Sequence, residues 1–376
     1  MKKMLFVNVG GSITDRRTWS GIPFSLYAEM SKLYEIETCE INLSKSFFDM
    51  VSIFFRRYIL RQSVDWKFTR RFAKKASRIL NDKINSMSEK PDVIFAIGSA
   101  GIAYVTTDIP IVYFSDAVLS CMINYYYFGF KDAEVKEYNE VQKNALDNSS
   151  VIVLTSEWAK NAAVNDYGIS ADKVKVMHFG SNMDSEVTPR AHDGINLLFV
   201  GADLVRKGAK IAIDAVTKAN EMDGSNHYLL HIVGGKLEDE DVKNNQYVKQ
   251  YGFINRNDDS QRKLLEDLRS KSDIFILPTK AECAGIVFGE ACACGLPSLS
   301  FRTGGVGDYI RDGYTGYLFD LNDGADKYAE KIVELANNTQ LLEKMKINSR
   351  KLFEEDLNWE HLAVSISNEI SALIGG

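Results

Sequence analysis

Two carboxylates, Glu282 and Glu290, stand eight positions apart in the segment ECAGIVFGE. The segment lies between a strand-like run, IFILP (274–278), and a helix-like run, GEACACG (289–295). Paired carboxylates can accept hydrogen bonds from the hydroxyls of a sugar or a ribose. Gly285 and Ile286 fall near the start of the helix, where free backbone N–H groups and the positive dipole end suit an anion. A plain strand–loop–helix unit with surface glutamates is the alternative. A second chemical cluster is LLFVGADLVRKGAKIAIDAV (197–216). Its strand ends at Gly201, and Arg206 and Lys207 precede the next helix. An arginine fork beside a lysine point charge suits a diphosphate, although a solvated basic pair has the same sequence. Near the N-terminus, Gly10-Gly11-Ser12 follows the first strand and lets backbone approach a ligand closely, or simply makes a tight turn.

These residues need a frame. Strand-like runs recur at 4–9, 36–41, 92–97, 109–114, 150–155 and 174–179, then at 195–200, 228–233, 248–253, 273–278, 297–301 and 315–319. Several are continuous apolar runs, the pattern of strands buried on both faces of a parallel sheet. Helical patterns between them include 208–222, 259–271, 285–294 and 325–337. The alternation predicts two doubly wound α/β units, Rossmann-like, facing a central cleft. The polar stretch 181–194 is the expected break. The predicted organisation is an N-terminal unit over 1–183, a linker over 184–194, a second unit over 195–357, and a C-terminal helix over 358–376 packing back towards the first unit. Ligands of such units bind at the carboxyl ends of the strands.

A chain of 376 residues is long for a single core, which agrees with two domains. The net charge of −6 argues against a general nucleic-acid binder. Cys283, Cys292 and Cys294 lie close in sequence, but no second pair or histidine cluster follows at zinc spacing, so buried thiols are expected. The start MKKMLFVNVG reads as a first core strand and not as a signal peptide. No apolar run reaches the ~18 residues of a membrane span. A cytoplasmic location is therefore expected. No first strand is followed by G-x-G-x-x-G, which argues against a dehydrogenase.

With these motifs in place, the chain resembles the glycosyltransferase family 4 group of retaining, nucleotide-sugar-dependent enzymes with the GT-B fold. The resemblance rests on VGADLVRKG (200–208), HIVGG (231–235), YGFI (251–254), the run 273–305 and DGYTGYLF (312–319). TWSGIPFSL (18–26) and SEWAKNAAVNDYGI (156–169) are similar to a bacterial subgroup. The resemblance implies that Arg206 and Lys207 neutralise the donor diphosphate, and that the N–H groups of Gly285 and Ile286 also bind it. It implies that Glu290 takes the ribose hydroxyls and Glu282 the hydroxyls of the donor sugar. Gly201 belongs to the same donor site, and the Gly10–Gly11 loop faces the phosphate from the other domain.

The chain departs from the pattern at three places. Ala202 stands where many members carry arginine, and Arg206 can supply that charge. Ala284 replaces a common aromatic. Asp116, in YFSDAVL, stands where many members place a histidine that touches the donor sugar. Asp116 and His178 are further candidates for sugar contact, His178 with a hinge role as its alternative.

Breaking the anomeric bond puts negative charge on the diphosphate, and Arg206, Lys207 and the helix start would meet it. No Asp-x-Asp in a suitable loop nominates a metal, and Asp258-Asp259 reads as a helix cap. Metal-independent transfer without a cofactor is expected. The resemblance implies retention of anomeric configuration, with the departing phosphate helping to deprotonate the acceptor. It also implies a saccharide or lipid-linked saccharide acceptor, in cell-surface polysaccharide or glycolipid synthesis.

Residues 47–78 carry nine Lys/Arg and two Asp among many aromatic and aliphatic side chains. They read either as an interfacial segment that docks on anionic membrane, at the inner face, or as core-packed helices with a solvated basic face. INYYYFGF (123–130) could line an acceptor groove or belong to the core. Two rival functions remain at this point: a nucleotide-sugar epimerase of the same fold, and a non-catalytic partner subunit.

Overall fold

The computed structural model describes residues 1–183 and 190–375. Most of the expected linker, 184–189, lies outside the described residues. All twelve expected strands form, and the inner ones sit where an apolar run can be buried from both faces. The first unit comprises Met1–Met177 and Leu362–Gly376, the second His178–His361.

In the first unit the strands are β1 (Lys3–Val9), β2 (Glu35–Ile41), β3 (Val93–Ile97), β4 (Ile111–Ser115), β5 (Val151–Leu154) and β6 (Val174–Val176). They pair in the order β2-β1-β3-β4-β5-β6, every pair parallel. The central strands β3 and β5 are buried along their whole length. The expected run 174–179 keeps only its first three residues in the sheet. Met177 makes one more backbone bond to Leu154 at 2.9 Å, and then Phe179 turns its N–H to the Tyr309 hydroxyl at 2.9 Å. In the C-terminal helix Trp359–Leu373, Ser367 meets the Tyr34 hydroxyl at 2.8 Å.

The second unit contains β7 (Ile195–Gly201), β8 (Tyr228–Gly234), β9 (Val248–Gly252), β10 (Ile274–Leu277), β11 (Ser298–Phe301) and β12 (Gly316–Phe319). Their order is β12-β11-β10-β7-β8-β9, again all parallel. Parallel strands need crossovers, and the helices Ala209–Met222, Asp259–Ser270 and Ile286–Ala293 supply three of them. Relative to chain order this sheet reads 6-5-4-1-2-3, the doubly wound order that binds dinucleotides. Its direction of winding reverses between β7 and β10. The loops leaving those two strands therefore open side by side at the carboxyl edge, where such sheets take ligands.

Candidate functional site

The β7 loop and the β10 loop are stitched to each other by backbone and arginine. The Lys280 N–H donates to the Arg206 carbonyl at 2.9 Å, and Arg206 Nη1 donates to the Ala281 carbonyl at 2.6 Å. Contact this close needs Gly208, whose φ is +75°. A Cβ there would lie 2.0 Å from the Pro278 carbonyl oxygen. Gly201 serves the same site differently. A Cβ on it would stand 3.1 Å from Lys207 Cγ, so the glycine leaves room for the lysine stem over the strand end.

This packing brings Arg206, Lys207 and Glu282 together, three of the residues singled out by their types. Lys207 Nζ contacts Glu282 Oε2 directly, and Arg206 Nη1 lies 3.9 Å from the same oxygen. Lys207 is buried. A buried ammonium requires a partner, and Glu282 is that partner. Arg206 is also held by Asp203, 3.3 Å away. Glu282 is fixed through its own backbone, because its carbonyl accepts the Gly305 N–H at 3.1 Å.

Beyond Glu282 the chain turns at Gly285, with φ +82°, into the helix Ile286–Ala293. A Cβ on Gly285 would meet the Phe288 ring at 2.6 Å. No side chain caps this helix start. Its first N–H groups thus keep their capacity for an anion beside Arg206 and Lys207.

Glu290 sits deeper than the sequence reading placed it. It is 2% exposed, and Arg256 Nη2 reaches both its carboxylate oxygens, at 2.7 and 2.8 Å. Arg269 Nη2 holds one of them as well. Arg269 is buried and Arg256 is partly exposed. Glu290 can therefore meet a ribose only if Arg256 gives way or shares it. Neither arginine was found by sequence reasoning. The available signal was weak: Arg256 follows β9 and so comes off the same carboxyl edge of the sheet, whereas Arg269 is one of three basic residues on its helix.

In the first unit, Gly10 and Gly11 follow β1 with φ of +84° and +140°. The Asn8 amide donates to the Gly11 carbonyl at 2.9 Å, and the Gly11 N–H donates to Asn42 at 2.8 Å. A Cβ on Gly11 would lie 2.6 Å from Thr18, so this turn is packed and its glycine obligatory. Gly10 lines a cavity of about 260 Å³ together with Trp19, Lys67, Ser99, Asp116 and Tyr127. Asp116 is half-buried at the carboxyl end of β4, and its carbonyl accepts from Thr155 at 3.1 Å. Trp19, on the cavity wall, and the adjacent Ser20 have φ of 41° and 59°, a strained conformation for such side chains.

His178 has a different setting. Its Nδ1 is 2.9 Å from Asp356, its Nε2 is 3.8 Å from Asp308, and its ring packs on Tyr309. Burial works against its charge, but Asp308 and Asp356 hold its pKa up at about 9. This paired environment favours a structural role within the second unit over contact with a sugar. The five cysteines are free thiols and four are buried. Burial raises Cys292 to about 12, so it is an inert core residue.

Residues 182–352 match the family model of the group 1 glycosyl transferases. This region is similar to that family. Among curated relatives, an uncharacterised glycosyltransferase of Methanocaldococcus jannaschii is 30% identical over 233 residues, which are 60% of this chain and 60% of that protein. The chain thus spans about three-fifths of that relative's length. Among solved structures, the sucrose-phosphate synthase of Thermosynechococcus elongatus superposes with a TM-score of 0.71 at 16% identity, covering 99% of each chain. Anabaena HepE, solved in complex with UDP and glucose, gives a TM-score of 0.66 at 17% identity over 99% of this chain and 100% of that one. At these identities the structural likeness establishes the GT-B fold and leaves the reaction to be argued from the residues.

Proposed function

We propose that the chain is a retaining glycosyltransferase of the family 4 type. It moves a sugar from a nucleotide-diphosphate-sugar donor to a saccharide or lipid-linked saccharide, in cell-surface polysaccharide or glycolipid synthesis. The observation that carries this reading is the meeting of Arg206, Lys207 and Glu282 at the β7/β10 switch point, beside an uncapped helix start. UDP and glucose bound to HepE support a nucleoside diphosphate as the donor's leaving group.

Lys207 and Glu282 neutralise each other. A diphosphate placed against the N–H groups of the helix start competes for Lys207 and Arg206. Glu282 is then released towards the sugar hydroxyls. The bond between the anomeric carbon and the diphosphate oxygen breaks, and its electron pair goes to that oxygen. Arg206, Lys207 and the helix start stabilise this charge where it develops, each such donor being worth ~3 kcal/mol. The acceptor oxygen bonds to the anomeric carbon on the face the diphosphate left, and its proton passes to a departing phosphate oxygen. The charge on the leaving group is met by these two cations without a divalent ion. Full turnover in EDTA is the expected result, and loss restored by Mg²⁺ would overturn that part.

The first-unit cavity, with Asp116 and Lys67 among its aromatic walls, is assigned to the acceptor side. The protein works at the cytoplasmic face of a membrane when its acceptor is lipid-linked. No helix among the described residues is long and apolar enough to cross a membrane. A thermal-shift screen of nucleoside diphosphates and their sugars tests the donor reading, because a ligand that binds only the folded state raises its apparent stability. Sugar release in the absence of any acceptor would favour the epimerase class instead.

A further inference from the structure

The helix Phe47–Phe54 and the π-helical turn Phe55–Ile59 that continues it are amphipathic in the wrong sense for a soluble protein. The face turned towards the protein carries Asp49 and Arg56. Asp49 is 1% exposed and is paired with both Arg71 and Lys75, 2.5 Å from each. Burial disfavours its charge, yet Lys75 and Ser46 hold its carboxyl well below the usual carboxylate range. One and two turns on, Ile53 and Arg56 also point inward, and Arg56 is held by Glu137 at 2.8 Å and Gln62 at 2.7 Å.

The apolar side chains face out. Nine large ones between Phe47 and Leu60 are 46% to 69% exposed, among them Phe47, Phe48, Phe54, Phe55, Tyr58 and Ile59. A soluble surface rarely carries so many contiguous apolar groups unless something covers them. The Ser46–Asp49 capping box and the Asp49 ion pairs hold this helix in place with its apolar side outward.

The surrounding charge identifies the cover. Lys45, Arg57 and Arg61 are exposed and have no carboxylate partner among the described residues. The only acid within 43–64 is Asp49, which is buried and already paired. A second copy of the chain, related by a twofold axis, would bring these unpaired cations against one another. An anionic lipid surface offers both an apolar layer and negative headgroups at its rim.

We infer that residues 47–60 form a wedge that inserts its apolar face into the headgroup–acyl boundary of an anionic bilayer, with Lys45, Arg57 and Arg61 at the phosphate level. This deepens the membrane-surface reading given above and rests on it. It also corrects the electrostatic version of that reading. Arg56, Arg70 and Arg71 are engaged by Glu137, Glu140 and Asp49, so insertion and not basic docking is the main attachment.

The test is co-sedimentation of the full chain with vesicles of phosphatidylglycerol and phosphatidylcholine, and with phosphatidylcholine alone. Binding to the anionic vesicles is expected at low salt, and most of it should survive ~1 M salt, where the screening length is ~3 Å. Phe54→Glu with Phe55→Glu should lower partitioning roughly tenfold or more at both salt levels, with far-ultraviolet circular dichroism unchanged. Arg57→Glu with Arg61→Glu should remove the preference for anionic over neutral lipid. Binding that vanishes entirely at high salt would retain a membrane surface but overturn insertion. A chain that stays in the supernatant at low salt overturns both, and a dimer dispersed by the Phe54/Phe55 pair would then make a second copy the occupant.

Discussion

Lys207 and Glu282 form a direct ion pair between two loops that leave different strands of one sheet, with both side chains largely withdrawn from water. A buried ammonium and a largely buried carboxylate neutralise each other here. Arg206 adds a second cation 3.9 Å from the same carboxylate oxygen.

Separating this pair should affect binding and chemistry differently. Glu282→Gln leaves Lys207 without its competitor. Binding of a bare nucleoside diphosphate should hold or tighten, while sugar transfer falls by ~100-fold or more, as for loss of a group that acts on the reacting sugar. Calorimetry with the diphosphate alone, run beside single-turnover transfer, separates the two. Equal losses in binding and transfer would show that Glu282 acts on the diphosphate site as a whole.

Glu290 should behave first as a structural residue. Removing it leaves Arg269 buried without its partner, and breaking a buried pair from one side costs about 3–5 kcal/mol. Glu290→Ala should therefore lower the melting temperature well before any effect on ribose recognition can be read. Arg256→Ala is the informative variant, because Arg256 is the exposed member of the trio. It should leave stability within ~1 kcal/mol and change the affinity for nucleoside diphosphate relative to inorganic diphosphate. An unchanged affinity ratio would separate Glu290 from ribose binding.

Gly208→Ala tests the contact between the two loops. The φ of +75° and the Pro278 carbonyl 2.0 Å from the added Cβ leave no relaxed solution. A destabilisation of ~1–3 kcal/mol is expected from the backbone strain, with loss of diphosphate binding as the loops part. Denaturant unfolding measures the first effect and calorimetry the second. Unimpaired stability and binding would mean that the loops do not need this contact.

His178 makes stability depend on pH on the alkaline side. Its folded pKa of about 9 lies above the unfolded value of 6.5. The folded state therefore binds the proton more tightly. This contribution is fully present below pH 6.5 and is lost as pH rises through about 9. His178→Gln should flatten the fall in melting temperature between these limits. If wild type and variant lose stability in parallel, Asp308 and Asp356 do not hold a charged imidazole.

The fold was legible because its inner strands are buried from both faces, whereas the edge strand β2 leaves Glu35, Glu37 and Glu40 in solvent. A run such as VIFAI (93–97) leaves no ambiguity about side, and the twelve runs appear as twelve strands. Arg206, Lys207 and Glu282 were legible because each lies in the loop that leaves a strand, so knowing that β7 and β10 end at one edge is enough to bring them together. The engagement of Glu290 was not legible. It depends on which way Arg256 and Arg269 reach from a separate loop and helix, and no spacing encodes that. The segment 47–60 shows the same limit. The sequence presents Arg56 and Arg57 as equals, whereas one is paired beneath the helix and the other stands exposed at its rim.

The central claim is that the β7/β10 loops hold a donor diphosphate, and titration calorimetry with UDP and the other nucleoside diphosphates tests it most directly. The unaltered chain should bind at least one of them, and Arg206→Ala with Lys207→Ala should weaken that binding by roughly 100-fold, since charge-assisted phosphate contacts are the stronger kind. Equal affinity in the unaltered chain and the double variant would contradict the claim.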